Sequence, residues 1–118
     1  DLLEKLEAFE KSEYYLSKDL DMSQLAQQMD TNTTYLSVII NHYKEMSFPN
    51  YLKDLKITDA IERLSKDPEL LKYNYQGLAD IFGFKTGESF SKAFYAKTGV
   101  YPSKLFKELK NREDRRHL

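Results

Sequence analysis

The chain has 118 residues, a length typical of one domain. Hydrophobic residues make up 41% of it and aromatic residues 14%, which is enough for a packed core and argues against disorder. With only 4 Gly and 3 Pro, long helices are favoured over a turn-rich β architecture. The absence of cysteine excludes a disulfide scaffold and a cysteine-based zinc site. No apolar stretch approaches the roughly 18–20 residues needed to span a membrane.

Charge is unevenly distributed along the chain. The formal net charge is −1, but residues 1–30 hold 8 acidic side chains against 3 lysines, and residues 31–118 hold 15 basic against 11 acidic side chains. The two parts therefore carry −5 and +4. A basic face can coexist with a nearly neutral whole, so this pattern permits nucleic-acid binding without establishing it.

Three helices are predicted in the first part of the chain. Apolar residues recur at helical spacing from the start, which predicts an amphipathic helix ending near Leu16. A second helix begins at Asp21, whose carboxylate can form a capping box with Gln24. The polar residues 30–33 predict a tight turn into a third helix, over about Thr33–Tyr43.

Four helices are predicted in the rest of the chain. They are Pro49–Lys66, about Gln76–Phe82, about Glu88–Lys97 and a last helix that opens at Pro102. Gly83 suits the left-handed residue of a tight turn, and Thr86 can cap the helix that follows. Residues 111–118 are predicted to form a flexible charged tail.

An approximate internal repeat relates the two parts of the chain. In the first, Leu25-Ala26 is followed by a turn and a helix that begins its apolar row at Leu36; in the second, Leu78-Ala79 leads in the same way to Phe90. The distance from the alanine to the next apolar anchor is 10 residues in one unit and 11 in the other. A short helix, a tight turn and a second helix are the pattern of a helix-turn-helix. The predicted cores are Leu25, Leu36, Ile39 and Ile40 in the first unit and Leu78, Phe82, Phe90 and Phe94 in the second.

These motifs resemble the DNA-binding domain of AraC/XylS-family transcription regulators, over about Leu3 to Leu109. The second unit carries the more specific match. Its matching residues are Leu78-Ala79, Gly83-Phe84, Ser89-Phe90-Ser91-Lys92-Ala93-Phe94 and Gly99-Val100-Tyr101-Pro102. In the first unit, Leu25-Ala26, Tyr35-Leu36-Ser37, Phe48 and Tyr51-Leu52 agree with the family.

The chain also departs from the family pattern. Asp30 and Glu45 stand where the family usually has glycine, and Ile40 stands where it usually has phenylalanine. Leu105-Phe106 replaces the Tyr-Arg pair that often follows the proline. Val38 takes a position often held by Arg or Lys, and a valine cannot pair with the edge of guanine. The departures preserve the predicted fold and put base reading by the first unit in question.

The resemblance implies an all-α fold of about seven helices, with two helix-turn-helix subdomains joined by a long central helix. The boundaries are about 1–46 for the first subdomain, 47–66 for the linker helix and 67–110 for the second subdomain. The family places two recognition helices in successive major-groove segments, roughly 34 Å apart. Here those helices would be about Thr33–Tyr43 and Glu88–Lys97.

Candidate contacts follow from the outward positions of the two recognition helices and from the lysines around them. The base-contact candidates are Thr33, Thr34, Ser37, Val38 and Asn41 in the first helix and Glu88, Ser89, Ser91 and Lys92 in the second. The phosphate-contact candidates are Lys53, Lys56, Lys85 and Lys97. The alternative for each of these residues is an ordinary solvated side chain with no contact to DNA.

The predicted function is sequence-specific binding of double-stranded promoter DNA to regulate transcription. The alternative is a helix-turn-helix module that binds another protein, because the first part is acidic and Val38 lacks a charge. No enzyme motif, cofactor loop or metal-ligand spacing is present, and we interpret His42 and His117 as surface residues.

The expected partners and location follow from the resemblance. It implies RNA polymerase and an N-terminal sensor region as further partners, a bacterial source and a cytoplasmic location. The start at Asp1, without Met and directly in a helical pattern, predicts an excised C-terminal fragment. The stretch Asn32–Leu36 is similar to family members whose N-terminal part includes a membrane segment. The parent protein is therefore expected to be either cytoplasmic or anchored in the membrane, in both cases with this domain on the cytoplasmic side and without membrane contact of its own.

Overall fold

A computed structural model describes the backbone of residues 1–116 and their side chains apart from those at positions 68, 109, 110 and 113–116. The described part contains seven α-helices and no strand, which confirms the predicted all-α class. The helices are α1 Leu2–Lys11, α2 Met22–Gln28, α3 Thr33–Lys44, α4 Phe48–Lys66, α5 Tyr75–Phe82, α6 Gly87–Thr98 and α7 Pro102–Arg116. Two short 3₁₀ turns, Tyr14–Leu16 and Pro68–Lys72, lie between them.

Most of the described α-helices begin with a side-chain cap, and the caps at Asp21 and Thr86 are the two that the sequence predicts. The Asp21 carboxylate accepts from the backbone amide of Gln24 at 2.8 Å, and the Gln24 side chain accepts from the Asp21 amide at 3.1 Å, which is a complete capping box. Asn32 caps α3 and Asn74 caps α5 through their side-chain oxygens. Such caps satisfy amides that have no partner within the helix, and each contributes about 1 kcal/mol.

The residues divide into two compact units, Asp1–Leu55 and Lys56–Leu118. The boundary lies within α4, so the first turns of this helix belong to one unit and its later turns to the other. The predicted linker helix is therefore shared between two units in the structure. Helix α7 continues to Arg116, and the predicted flexibility of residues 111–118 stays a prediction.

The first unit has a core of both aliphatic and aromatic side chains. Leu6 and Phe9 of α1 pack with Leu25 of α2 and with Leu36 and Ile40 of α3. Ile39 packs against this core while remaining partly exposed, and four predicted core residues are thus found together. Helix α1 ends at Lys11 and not near Leu16, because the chain becomes extended at Ser12 before the 3₁₀ turn.

The second unit has an aromatic core. Its largest fully buried side chains include Phe82, Phe90 and Phe94, and Leu78 lies beside them. The rings of Phe82 and Phe90 stack with their centroids 6.2 Å apart, and Phe84 meets Phe90 edge to face at 5.7 Å. All four predicted core residues of this unit are buried. Rings in these geometries add about 0.5–1.5 kcal/mol per pair to the burial of their surface.

Candidate nucleic-acid interface

The second unit contains a well-defined tight turn between α5 and α6. Gly83 ends α5 in the left-handed conformation, with φ 81. The next amide, that of Phe84, donates to the carbonyl of Ala79 at 2.8 Å, and the Phe84 side chain is buried. A left-handed residue after a helix reverses the chain direction at little cost when it is glycine. The turn therefore leads directly from α5 into α6, as in a helix-turn-helix.

Polar side chains form hydrogen bonds with the backbone at the end of this turn. The Gln76 amide of α5 donates to the Lys85 carbonyl at 3.4 Å, and its oxygen accepts from the Gly87 amide at 3.1 Å. Thr86 and Ser89 form a capping box at the start of α6. Gly87 approaches α5 closely, since an added Cβ would lie 3.0 Å from the Cβ of Tyr75. The start of the predicted recognition helix is consequently fixed by contacts on several sides.

The outward face of α6 presents an ion pair. Glu88 and Lys92 are exposed and lie one turn apart, with the ammonium 2.9 Å from a carboxylate oxygen. The hydrogen bond and the charge of Lys92 lower the pKa of Glu88, and the same bond and the carboxylate raise the pKa of Lys92. Both side chains are accessible, as base contacts require, and each would have to leave the other to reach a base edge.

The two serines predicted to contact bases differ from this pair. Ser89 is half-buried, and its hydroxyl donates to the Thr86 carbonyl at 2.9 Å while accepting in the capping box. Its hydroxyl therefore already has a structural role. Ser91 is also half-buried. Tyr95, farther along α6, is exposed and its ring lies 4.5 Å from that of Tyr101, centroid to centroid.

The first unit repeats the turn with different residues. Asp30 follows α2 in the left-handed conformation, with φ 56. The next amide, that of Thr31, donates to the carbonyl of Ala26 at 2.9 Å, as Phe84 does to Ala79. At the other end of α3, Glu45 also adopts a left-handed conformation, with φ 57. The two positions where the family resemblance expected glycine thus have the backbone conformation that glycine favours.

The predicted contact residues of α3 have no ionisable side chain. Thr33, Thr34 and Asn41 are exposed, Ser37 is half-buried, and Val38 is 57% exposed. The sequence of α3 has no Lys or Arg before Lys44, whose ammonium pairs with Glu10 at 3.1 Å. Four of the five predicted contact residues are therefore accessible, and none of them can attract phosphate by charge. Tyr43, near the end of α3, is 53% exposed.

Lys56 differs from the other lysines that are predicted to contact phosphate. Lys53, Lys85 and Lys97 are exposed, but Lys56 is only 6% exposed and its ammonium donates to the Gly83 carbonyl at 2.6 Å. Burial lowers the pKa of Lys56, and the nearby charge of Lys85 lowers it further. A buried ammonium that is bonded to the backbone is poorly placed to meet a DNA phosphate, and the phosphate contact of Lys56 stays a prediction.

Sequence reasoning missed the roles of Lys56 and Gln76 within the second turn. A signal for Lys56 was present, because it stands in the row Leu52, Lys56, Ala60, Leu64, whose members recur every four residues and are all buried. A lysine in an apolar row of a helix indicates a buried ammonium that has an acceptor beside it in the folded protein. No comparable signal exists for Gln76, since its partners become neighbours only when the turn closes.

A network around Glu10 joins three helices of the first unit. The Tyr51 hydroxyl of α4 donates to one carboxylate oxygen at 2.6 Å, and the Lys44 ammonium of α3 lies 3.1 Å from the same group. Burial raises the pKa of Tyr51, and the hydrogen bond to Glu10 and its charge raise it further. This network links α3 to α1 and α4 and adds no side chain to the outward face of α3.

The two units carry opposite charges. Asp1–Leu55 has 10 acidic and 5 basic side chains, and Lys56–Leu118 has 9 acidic and 13 basic ones, which gives −5 and +4. In the described part of the chain, no group of three or more His, Asp or Glu side chains could hold a metal ion. No described helix combines the length and apolar character needed to cross a bilayer. His117 lies outside the described residues.

Two units, each with a short helix, a left-handed turn and a second helix with an open face, define a double helix-turn-helix protein. Solved structures share this architecture. The C-terminal domain of AraT, a response regulator from Geobacillus stearothermophilus, matches with a TM-score of 0.70 and 23% identity, over 91% of this chain and 84% of that one. The C-terminal domain of the two-component response regulator yesN from Fusobacterium nucleatum matches with a TM-score of 0.69 and 20% identity, over 87% and 95%.

A third solved structure with the same architecture is described as an AraC-type protein. A transcriptional regulator with an AraC-type DNA-binding domain from Chromobacterium violaceum matches with a TM-score of 0.72 and 16% identity, over 88% of this chain and 89% of that one. No protein-family model and no curated protein matches the sequence. The chain has the fold of AraC-type DNA-binding domains, which confirms the fold expected from the sequence resemblance.

Proposed function

We propose that the chain is the DNA-binding domain of a bacterial transcription regulator and binds double-stranded promoter DNA in a sequence-dependent manner. The proposal rests on the position and the exposed side chains of α6. This helix starts at a turn fixed by Gln76, Thr86 and Ser89, and it presents Glu88 and Lys92 to solvent on a unit with a charge of +4. A fixed helix with exposed polar groups on a basic unit fits a major groove.

The two recognition helices are proposed to contribute differently. Lys92 can donate to guanine and Glu88 can accept from cytosine, so α6 is proposed to specify bases. Helix α3 has the methyl groups of Thr33, Thr34 and Val38 for thymine methyl contacts and Asn41 for adenine or phosphate. Lys53, Lys85 and Lys97 are proposed to contact phosphates. The first unit would then mainly position the domain on the DNA, and the second unit would determine most of the sequence preference.

The solved structures support the assignment of a regulated parent protein. Two of them are described as C-terminal domains of response regulators. By that likeness, we propose that this domain acts under the control of an N-terminal sensor region, contacts RNA polymerase at promoters and works in the cytoplasm.

The test is selection of bound duplexes from a random DNA pool, followed by affinity measurements at several salt concentrations. We expect enrichment of one conserved block read by α6, with a second block about one helical turn away if α3 also reads bases. The logarithm of the binding constant should fall linearly with the logarithm of salt concentration. A pool that shows no enrichment, together with binding that salt does not affect, would contradict the proposal.

A second candidate is a protein-binding role for the first unit. It rests on the charge of −5 and on the outward face of α3, which combines Val38 with exposed Tyr35 and Tyr43. Such a face is closer to a protein-binding surface than to a phosphate-binding one. Substituting Val38→Lys separates the candidates, because it should strengthen DNA binding if α3 faces DNA and should leave it unchanged if α3 faces a protein.

A further inference from the structure

Lys56 has an arrangement that no DNA-contact role explains. Its side chain lies in the buried row of α4, between Leu52 and Ala60, and its ammonium reaches the carbonyl of Gly83 at 2.6 Å. The same ammonium lies 5.8 Å from the centroid of the Phe84 ring. Both contacts are to the two residues that form the turn before α6. The lysine thus joins the helix that precedes the helix-turn-helix to the turn itself.

The first unit has a related contact. The Lys5 ammonium of α1 donates to the carbonyl of Met29 at 3.1 Å, one residue before the left-handed Asp30. In both units, a lysine from the helix preceding the helix-turn-helix binds a carbonyl at the end of its first helix. The last carbonyls of a helix lack partners within the helix and carry partial negative charge, so a cation is a favourable partner there.

Burying the charged ammonium of Lys56 costs free energy that an apolar side chain in the same place would not cost. Desolvation of an ammonium is unfavourable, and the lowered pKa of Lys56 reflects it. A methionine would fill similar space without this cost. The ammonium provides instead a strong, directed hydrogen bond to one carbonyl, which restricts the direction in which the chain leaves α5.

We propose that Lys56 is a positioning residue that sets the orientation of α6 relative to α5 through its bond to Gly83. This inference rests on the proposed function, because the orientation of α6 matters for base reading. A recognition helix that is displaced by a fraction of a helical turn would lose directional base contacts while retaining contacts made by mobile lysines to phosphates.

The experiment compares Lys56→Met, which keeps the volume and removes the donor, with Lys56→Arg, which keeps a donor. Lys53→Met is the matched control, since it removes an exposed lysine from the same helix. For Lys56→Met we expect about tenfold weaker binding to the selected site, unchanged binding to random DNA and an unchanged salt slope. Lys56→Arg should restore binding to within about threefold of the original protein. Lys53→Met should weaken binding to the selected site and to random DNA by the same factor, and it should reduce the salt slope by about one.

Two results would overturn the positioning role of Lys56. One is a salt slope for Lys56→Met that falls by about one, because Lys56 would then contact phosphate directly. The other is binding of Lys56→Met to the selected site that equals that of the original protein.

A measurement without DNA separates this inference from the proposed function. Residual dipolar couplings of backbone amides give the angle between α5 and α6; we expect this angle to change in Lys56→Met and to be retained in Lys56→Arg. If the original protein binds no DNA, the proposed function fails while the angle still decides the role of Lys56. Should Lys56→Met not fold, the exchange of the Lys56 ammonium protons in the original protein decides the contact. Slow exchange supports the bond between Lys56 and Gly83, whereas exchange as fast as that of the Lys53 ammonium overturns the proposal.

Discussion

Asp30 and Gly83 occupy the same place in the two units. Each has a left-handed backbone, with φ 56 and 81, and each precedes an amide that donates back to an alanine carbonyl, Ala26 or Ala79. Glycine adopts this conformation freely, whereas other residues pay about 1 kcal/mol or more for it. The first unit therefore keeps the geometry of the turn while bearing backbone strain that the second unit avoids.

Glu45, after α3, bears the same kind of strain, and its relief gives the first prediction. Glu45→Gly should stabilise the first unit by about 0.5–1 kcal/mol, because the left-handed residue after α3 no longer has a Cβ and only part of the gain is lost to a more flexible unfolded chain. Urea unfolding at neutral pH measures it. The matched control is Gly99→Ala at the end of α6, where φ is 80 and an added Cβ meets no atom within 4 Å. This variant should lose about 1 kcal/mol through backbone strain alone, and a gain from Gly99→Ala would contradict the argument.

The Glu10 network gives a prediction of pH dependence. Because the pKa of Tyr51 is raised in the folded state above the ordinary value of 10.0, the folded protein holds the phenolic proton more tightly than the unfolded chain. The resulting stability is fully present below pH 10 and is lost as pH rises above it. Tyr51→Phe should cost about 2 kcal/mol at pH 8, since it removes a hydrogen bond to a carboxylate.

The measurement is the free energy of unfolding at pH 8 and at about pH 10.8. The difference between the original protein and Tyr51→Phe should narrow at the higher pH, because only the original protein has the phenol to ionise. A difference that stays constant between the two pH values would show that Tyr51 does not contribute through its proton.

Lys92 is predicted to read a base. Lys92→Ala should weaken binding to the selected site by about 1–3 kcal/mol and relax the preference at one base pair. The change is measured by repeating the selection with the variant. Lys97→Ala on the same helix is the control, because an exposed lysine that contacts phosphate should leave every base preference intact. An unchanged preference in Lys92→Ala would remove this residue from the base contacts.

Lys85 is predicted to contact phosphate. It is exposed directly after the turn of the second unit. Lys85→Ala should weaken binding to all sequences by a similar factor and should reduce the salt slope by about one. Affinities for the selected site and for random DNA, each measured across a salt series, test this. A loss confined to the selected site would assign Lys85 to base reading instead.

The sequence was sufficient to predict the features that depend on local chemistry. The capping box at Asp21, the cap at Thr86 and the left-handed Gly83 each involve residues within a few positions of one another, and all three are present. Apolar rows likewise predicted the cores, because a buried face recurs with the helical period. Lys56 was a candidate for phosphate contact, and the acceptor that accompanies its burial lies 27 residues away in the sequence.

Ser89 shows the same limit within the candidate site. Its place on α6 predicted an outward side chain, yet its hydroxyl binds Thr86. An exposed position and an available hydrogen-bonding group are different properties, and only the first follows from helical periodicity. The identities of the bases that α6 is proposed to read depend on the DNA as well and are decided by the selection experiment.

The opposite charges of the two units have a kinetic consequence for any encounter with DNA. Long-range attraction by a polyanion acts on the second unit, at +4, and opposes the approach of the first, at −5. If the chain binds DNA as proposed, the second unit would therefore arrive first, and the first unit would engage only after the domain is already held nearby. Association would then proceed in two stages, of which only the earlier accelerates as the salt concentration falls.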